Sequence, residues 1–248
     1  MITHYIIMSS SYTKGKRIAL DYLLDEKTEY HKLNKIIKTI TDKCGKDVSI
    51  STHFVQTDSE SWNSVSEKDY FFKDVEVVKN IEDFINLIQQ DRILTGLDVA
   101  KYILSKVICT HLKLEKLVYL CYAEYLCNFD KDLFVDEIYA YKYGPVIKSV
   151  YEKYKKYRYA EIEKPEDKIL SEDLLELPSR SRIMFAEDGL EKINSIDSTL
   201  KIYGQLSAGE LVDLTHKEST PWAISGRGRN KDEIIKNETI KKFHCNEK

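Results

Sequence analysis

The sequence predicts an α+β protein: a small α/β unit over residues 1–92, then a mainly α-helical domain over residues 93–248. Three observations carry this. Short strand-like segments rich in Ile, Val and Tyr cluster before Arg92. Apolar residues at helical spacing dominate after it. Between the two, Thr95-Gly-Leu-Asp98 has the capping-box form, in which a hydroxyl and a carboxylate satisfy orphan backbone donors at a helix start.

In the first unit, Thr3–Met8 reads as a strand, Lys16–Leu24 as a helix, and Tyr30–Ile40 as a second helix with Leu33, Ile36, Ile37 and Ile40 on one face. Val48–Val55 and Tyr70–Val78 read as strands, the serine-rich Gln56–Ser66 as a loop holding Trp62, and Ile81–Gln90 as a short helix. This gives about three strands and three helices. In the second unit, Leu97, Ala100, Ile103, Leu104, Val107 and Ile108 form one buried stripe. Lys113–Cys127 is apolar nearly all round, as a helix covered by its neighbours is, and too short for a membrane span. Leu133–Tyr143 reads as extended or irregular. Gly144-Pro145 is a break, with a helix from Pro145 to about Tyr157 because proline suits a first helical turn. Arg158–Ser181, acidic and containing Pro165 and Pro178, reads as a loop. Helices are predicted at Phe185–Tyr203, Ser207–Thr215 and Lys231–Phe243, with a turn at His216–Trp222.

The formal charge of −3 and the lack of a basic half argue against nucleic acid as the partner. The five cysteines show no CxxC spacing, which favours free thiols in a reducing cytoplasm over a disulfide scaffold. Met1–Met8 lacks a basic leader and is too short for a signal peptide. No apolar run approaches a membrane span, so no membrane association is expected.

Catalytic signatures are missing from the sequence. No two of the six histidines stand at i, i+4, no serine lies in a Gly-x-Ser-x-Gly elbow, and Gly226-Arg-Gly-Arg229 lacks Walker spacing. No catalytic residue, metal or cofactor is therefore assigned, although a hydrolase built from scattered histidines and acids stays open as the enzyme alternative. The tyrosines look more functional: eleven of the 17 lie between Tyr102 and Tyr159. Tyr151, Tyr154, Lys155 and Arg158 share a face at i, i+3, i+4, i+7, and Tyr and Arg are enriched at interface hot spots. Alternatively, the two tyrosines pack on the core while Lys155 and Arg158 stay solvated. Arg227 and Arg229 are either two grips on an acidic partner or part of a flexible loop. His216 is either a switch or a local turn-fixing group, and Trp222 either a core plug or a hot spot.

Four segments stand in order: Leu112-Lys-Leu-Glu-Lys-Leu-Val-Tyr119, Ala140-Tyr-Lys-Tyr-Gly-Pro-Val146, Val150-Tyr151 and Leu211-Val-Asp-Leu-Thr-His-Lys-Glu-Ser-Thr-Pro-Trp222. Together they resemble the Panacea domain of SocA-like antitoxins, a family also found in prophages. Tyr141 stands where the family shows tryptophan. The resemblance covers about residues 95–243 and leaves the N-terminal unit unexplained. It implies an antitoxin that blocks a protein toxin by binding, without chemistry. It also leaves room for counter-defence against a host immune effector, and for an adaptor that hands the toxin to a host protease. The N-terminal unit is the candidate for partner choice or homo-oligomer formation.

Overall fold

Alternation, rather than helical spacing, governs the start of the chain. β1 (Ile2–Ser11) and β2 (Lys16–Leu24) form an antiparallel hairpin with Tyr5 opposite Tyr22 and Ile7 opposite Leu20. The helix expected at Lys16–Leu24 is thus a strand. Its Ile18, Leu20, Tyr22 and Leu24 fit a period of 2, and pairing with β1 decides between the two periods. The turn is held by Asp91, 4% exposed, which accepts from the Ser11 hydroxyl and the backbone N–H groups of Tyr12 and Thr13 at 2.8–2.9 Å.

The computed structural model describes residues 1–24, 30–163, 177–230 and 233–247, which form two compact units, Met1–Ile93 and Leu94–Lys248. The first unit continues with α1 (Tyr30–Cys44), β3 (Ser51–Thr57), α2 (Trp62–Lys68), a 3₁₀ turn at Tyr70–Phe72, β4 (Glu76–Val77) and α3 (Ile81–Arg92). Its sheet has the order β3-β1-β2-β4. One face carries Tyr5, Ile7, Ile18 and Leu20 against Leu33 and Ile40 of α1 and Phe84, Ile85 and Ile88 of α3. The other carries Ile6, Met8 and Ala19 against Val65, Phe72 and Val75. Two expectations fail here. The serine-rich loop contains α2, capped by Ser61, and the strand over Tyr70–Val78 shrinks to two residues because Asp69 caps a 3₁₀ turn at Phe71.

The second unit opens with α4 (Gly96–Lys106), where Thr95 and Asp98 form the expected capping box. α5 (His111–Phe129) follows, N-capped by Thr110, with every residue from Leu114 to Leu126 buried. Then come β5 (Ile138–Tyr141), β6 (Gly144–Ile147) and α6 (Lys148–Tyr154), which passes into a 3₁₀ turn at Lys155–Tyr157. The helix expected from Pro145 therefore starts at Lys148. Pro145 lies in a strand, paired with Ala140. Of the loop expected over Arg158–Ser181, residues 164–176 lie outside the described residues, and Leu177 already begins α7 (Leu177–Met184). α8 (Gly189–Tyr203), α9 (Ala208–His216), α10 (Pro221–Ile224) and α11 (Asn237–Phe243) complete the unit. The last helix starts at Asn237 rather than Lys231, because Glu233–Ile235 pairs with β5 instead: Ala140 N–H donates to Glu233 C=O and Ile235 N–H to Ile138 C=O, both 2.8 Å. Residues 231–232 lie outside the described residues. α4, α8, α9, α11 and β6 pack round α5, which is why α5 has no polar stripe. No described helix is long and apolar enough to cross a membrane.

Candidate partner-binding surface

A helix buried all round should not carry charge, yet α5 buries Glu115 and Lys116 completely enough that Lys116 is 0% exposed. Both reach β6. The Lys116 ammonium donates to Pro145 C=O at 2.8 Å, and the Glu115 carboxylate accepts from Ile147 N–H at 3.2 Å. Pro145 and Ile147 are two apart, so their outward backbone groups lie on the strand edge away from β5. Two side chains of a helix thus satisfy an edge that would otherwise be buried unpaired. Burial pushes the Lys116 ammonium below its usual range and the Glu115 carboxyl above its own, and the opposite charge of each opposes the other's shift.

Gly144 makes room for this. Its φ is +103°, and a Cβ there would meet Lys116 Cε at 2.7 Å and Thr215 Oγ1 at 3.2 Å. Thr220 donates to Thr215 C=O at 2.8 Å and caps α10. Trp222, 7% exposed, plugs the core and donates its indole N–H to Tyr141 C=O at 2.7 Å. His216 stacks on Trp222, centroids 3.8 Å apart, and its Nε2 is buried without a hydrogen-bond partner. Burial and Lys116 hold its pKa below the usual value. It therefore braces the turn by stacking on Trp222.

This frame presents a tyrosine-rich surface. Tyr139 and Tyr141 fall on one face of β5 by its period of 2, with Tyr141 5.7 Å from Tyr151, which in turn lies 6.1 Å from His111. Lys148 sits over Tyr139 at 3.8 Å, Lys142 over Tyr143 at 5.4 Å and Lys155 over Tyr151 at 5.6 Å, within cation–π reach. Tyr143 is 60% exposed. The Gly226–Gly228 turn lies against the same strand. Gly228 has φ +69°, and a Cβ there would meet Tyr141 C=O at 2.6 Å. That close approach pins Arg227 and Arg229 beside the β5 end, so this segment is a braced turn. Glu137, Glu152 and Glu218 are interspersed; Glu152 pairs with Lys155, and Glu218 lies 3.6 Å from Arg227.

The six sequence candidates thus separate into different roles. Tyr151, Lys155, Arg227 and Arg229 gather round Tyr141. Tyr154, 7% exposed, packs in the main core with its ring 6.4 Å from Tyr157. Arg158 is exposed but ends the 3₁₀ turn at φ +52°, ψ −112°, so the shared α-helical face does not exist. α6 tightens at Lys155, and i, i+7 no longer align. Tyr139, Tyr141, Tyr143, Lys142 and Lys148 were missed as surface residues; the alternation of the three tyrosines was the available signal.

Two of the histidines, His4 and His244, are buried against carboxylates. His4 is buried with Nδ1 2.8 Å from Asp21 and Nε2 3.1 Å from both Thr57 Oγ1 and Ser59 C=O. The carbonyl requires a proton on Nε2, and the Thr57 hydroxyl itself donates to Ser59 C=O at 2.6 Å. The line Asp21–His4–Thr57 is therefore a clamp between strands rather than a nucleophile with its base. His244 is held between Glu247, 2.6 Å away, and Glu124, 3.3 Å away, deep against Tyr119 and Tyr203. Carboxylates on both sides raise its pKa against the opposing effect of burial. No cluster of His, Cys, Asp and Glu among the described residues could hold a metal ion. None of the five cysteines forms a disulfide, and Cys127 is exposed.

The second unit is thus a helical domain whose shared polar frame supports a tyrosine-bearing hairpin. Residues 114–223 match the model of the family described as Antitoxin SocA-like, Panacea domain. The match takes in Lys116, Gly144-Pro145, Thr215-His216 and Pro221-Trp222, the residues of the buried frame, and leaves the N-terminal unit outside. No curated protein and no solved structure matches the chain.

Proposed function

We propose that the chain is an antitoxin that binds and neutralises a protein toxin encoded beside it, sterically and without catalysis. The observation that carries this reading is the match of residues 114–223 to the antitoxin family. The surface round Tyr139, Tyr141, Tyr143 and Tyr151, with Lys142, Lys155, Arg227 and Arg229, supports it as the binding face. Rigid amphipathic tyrosine rings and forked arginine donors are what interface hot spots use. An acidic patch on the toxin would complement it.

The test is co-expression with the neighbouring gene product. The parent should restore growth. Tyr143→Ala with Lys142→Glu and Arg229→Glu should keep the parent's melting temperature yet weaken binding by at least ~2 kcal/mol, and binding by the parent should weaken with added salt. Rescue by the triple variant at normal protein level would move the binding face elsewhere. Failure of the parent to rescue would remove the antitoxin reading itself.

A further inference from the structure

The two edges of the N-terminal sheet are built differently. β4 is two residues long, and its Glu76 is flanked by Lys14 at 2.9 Å and Lys16 at 3.3 Å. Short strands and edge charges are the usual protection against strand pairing. β3, the opposite edge, is longer and carries no charge of its own, the one ammonium that reaches it among the described residues being that of Lys68 in α2. The strand's seven residues, Ser-Thr-His-Phe-Val-Gln-Thr, contain no Lys, Arg, Asp, Glu, Pro or Gly.

The outward backbone groups of β3 can be identified. The Lys68 ammonium donates to Gln56 C=O, so that carbonyl points away from β1. By the two-residue period, Phe54 and Thr52 turn their N–H and C=O groups the same way. Phe54 is 57% exposed, and its ring lies 5.0 Å from Tyr5 on the helix-bearing face, beyond the cover that α1 and α3 give to Ile7, Ile18 and Leu20. An exposed phenylalanine at the middle of an uncharged edge, flanked on the outward positions by Thr52 and Gln56, is self-complementary about Phe54.

We infer that β3 pairs antiparallel with β3 of a second copy of this chain, with Phe54 facing its own counterpart and Thr52 facing Gln56. Uncharged outward positions favour a second copy, because a two-fold axis would oppose any charge placed at the centre to itself. The pairing joins two four-stranded sheets into one, and Lys68 gives up Gln56 C=O to the partner strand. The inference does not rest on the antitoxin reading, since it concerns the unit outside the family match.

The experiment uses the full chain. The parent should sediment as a dimer at micromolar concentration. Phe54→Lys, which sets two ammonium groups opposite each other, should raise the dimer dissociation constant at least about tenfold, near 1.4 kcal/mol, with the melt unchanged. A second variant fixes the register. In a Cys127→Ser, Cys245→Ser background, Phe54→Cys should cross-link to itself on mild oxidation, since hydrogen-bonded antiparallel pairs hold Cα atoms about 5.5 Å apart. Thr52→Cys alone should not, whereas Thr52→Cys with Gln56→Cys should. A monomer at all concentrations, a dimer indifferent to Phe54→Lys, equal cross-linking by the Thr52→Cys and Phe54→Cys variants, or a Phe54→Cys variant that cross-links only to a different protein would each overturn the inference.

Discussion

The buried charges of α5 make the family signature intelligible residue by residue. Lys116 is fully enclosed, yet its ammonium has one backbone acceptor, Pro145 C=O, and the nearby charges of Glu115 and Glu247. Gly144 is tied to it sterically, since any side chain there would occupy the path of Lys116. The lysine, the Gly-Pro pair and Thr215 are therefore one packing unit, although they are distant in sequence. Lys116→Met should consequently cost about 2 kcal/mol, within the range for leaving a buried acceptor unsatisfied. It leaves Pro145 C=O without its donor and Glu115 without its opposing charge. Lys116→Met with Glu115→Gln should recover part of that loss, because an amide carries no charge to strand and can still accept from Ile147 N–H. Urea denaturation of the two variants checks this, and a double variant less stable than the single one would dismiss the electrostatic coupling.

At the scale of elements, the fold was legible wherever local chemistry decides. Thr95 and Asp98 announce α4, Ser207 and Glu210 box the start of α9, and the all-round apolar run of α5 marks a central helix. The sequence reading failed where a distant partner decides. β2 has helical and alternating apolar patterns at once, and only β1 resolves them. Pro145 suits a helix start by itself, but Glu115 and Lys116 hold it in a strand. The proposed binding surface was half legible for the same reason. Tyr151, Lys155, Arg227 and Arg229 stand out by residue type, but Tyr141, which brings them together, is placed by the Trp222 and Gly228 contacts. Tyr154 shows the cost of extending α-helical spacing through a 3₁₀ turn. Tyr154→Ala should destabilise by about 3 kcal/mol, as truncation of a buried aromatic does, whereas Lys155→Ala should stay within about 0.5 kcal/mol, as exposed positions do. Denaturation midpoints for the two would settle it; equal small effects would return Tyr154 to the surface.

For the whole molecule, the division at Ile93 and Leu94 is a division of cores. The second unit holds one large cluster round α5, including Tyr102, Tyr119, Tyr125 and Leu117, all 0% exposed. The first holds two smaller clusters, one on each face of its sheet. A larger fraction of a chain's surface is buried as it lengthens, so residues 94–248 should fold alone, with a cooperative melt and a helical circular dichroism spectrum. Residues 1–93 should be the less stable fragment. The fragment of residues 94–248 separates toxin binding from dimerisation. If the hairpin surface binds the toxin and β3 makes the dimer, residues 94–248 should sediment as a monomer and still bind toxin with a dissociation constant within about threefold of the full chain, less than 1 kcal/mol. Sedimentation and calorimetry on that one fragment check both. A folded fragment that dimerises would contradict the β3 interface, and a folded fragment that no longer binds would place toxin recognition in the N-terminal unit.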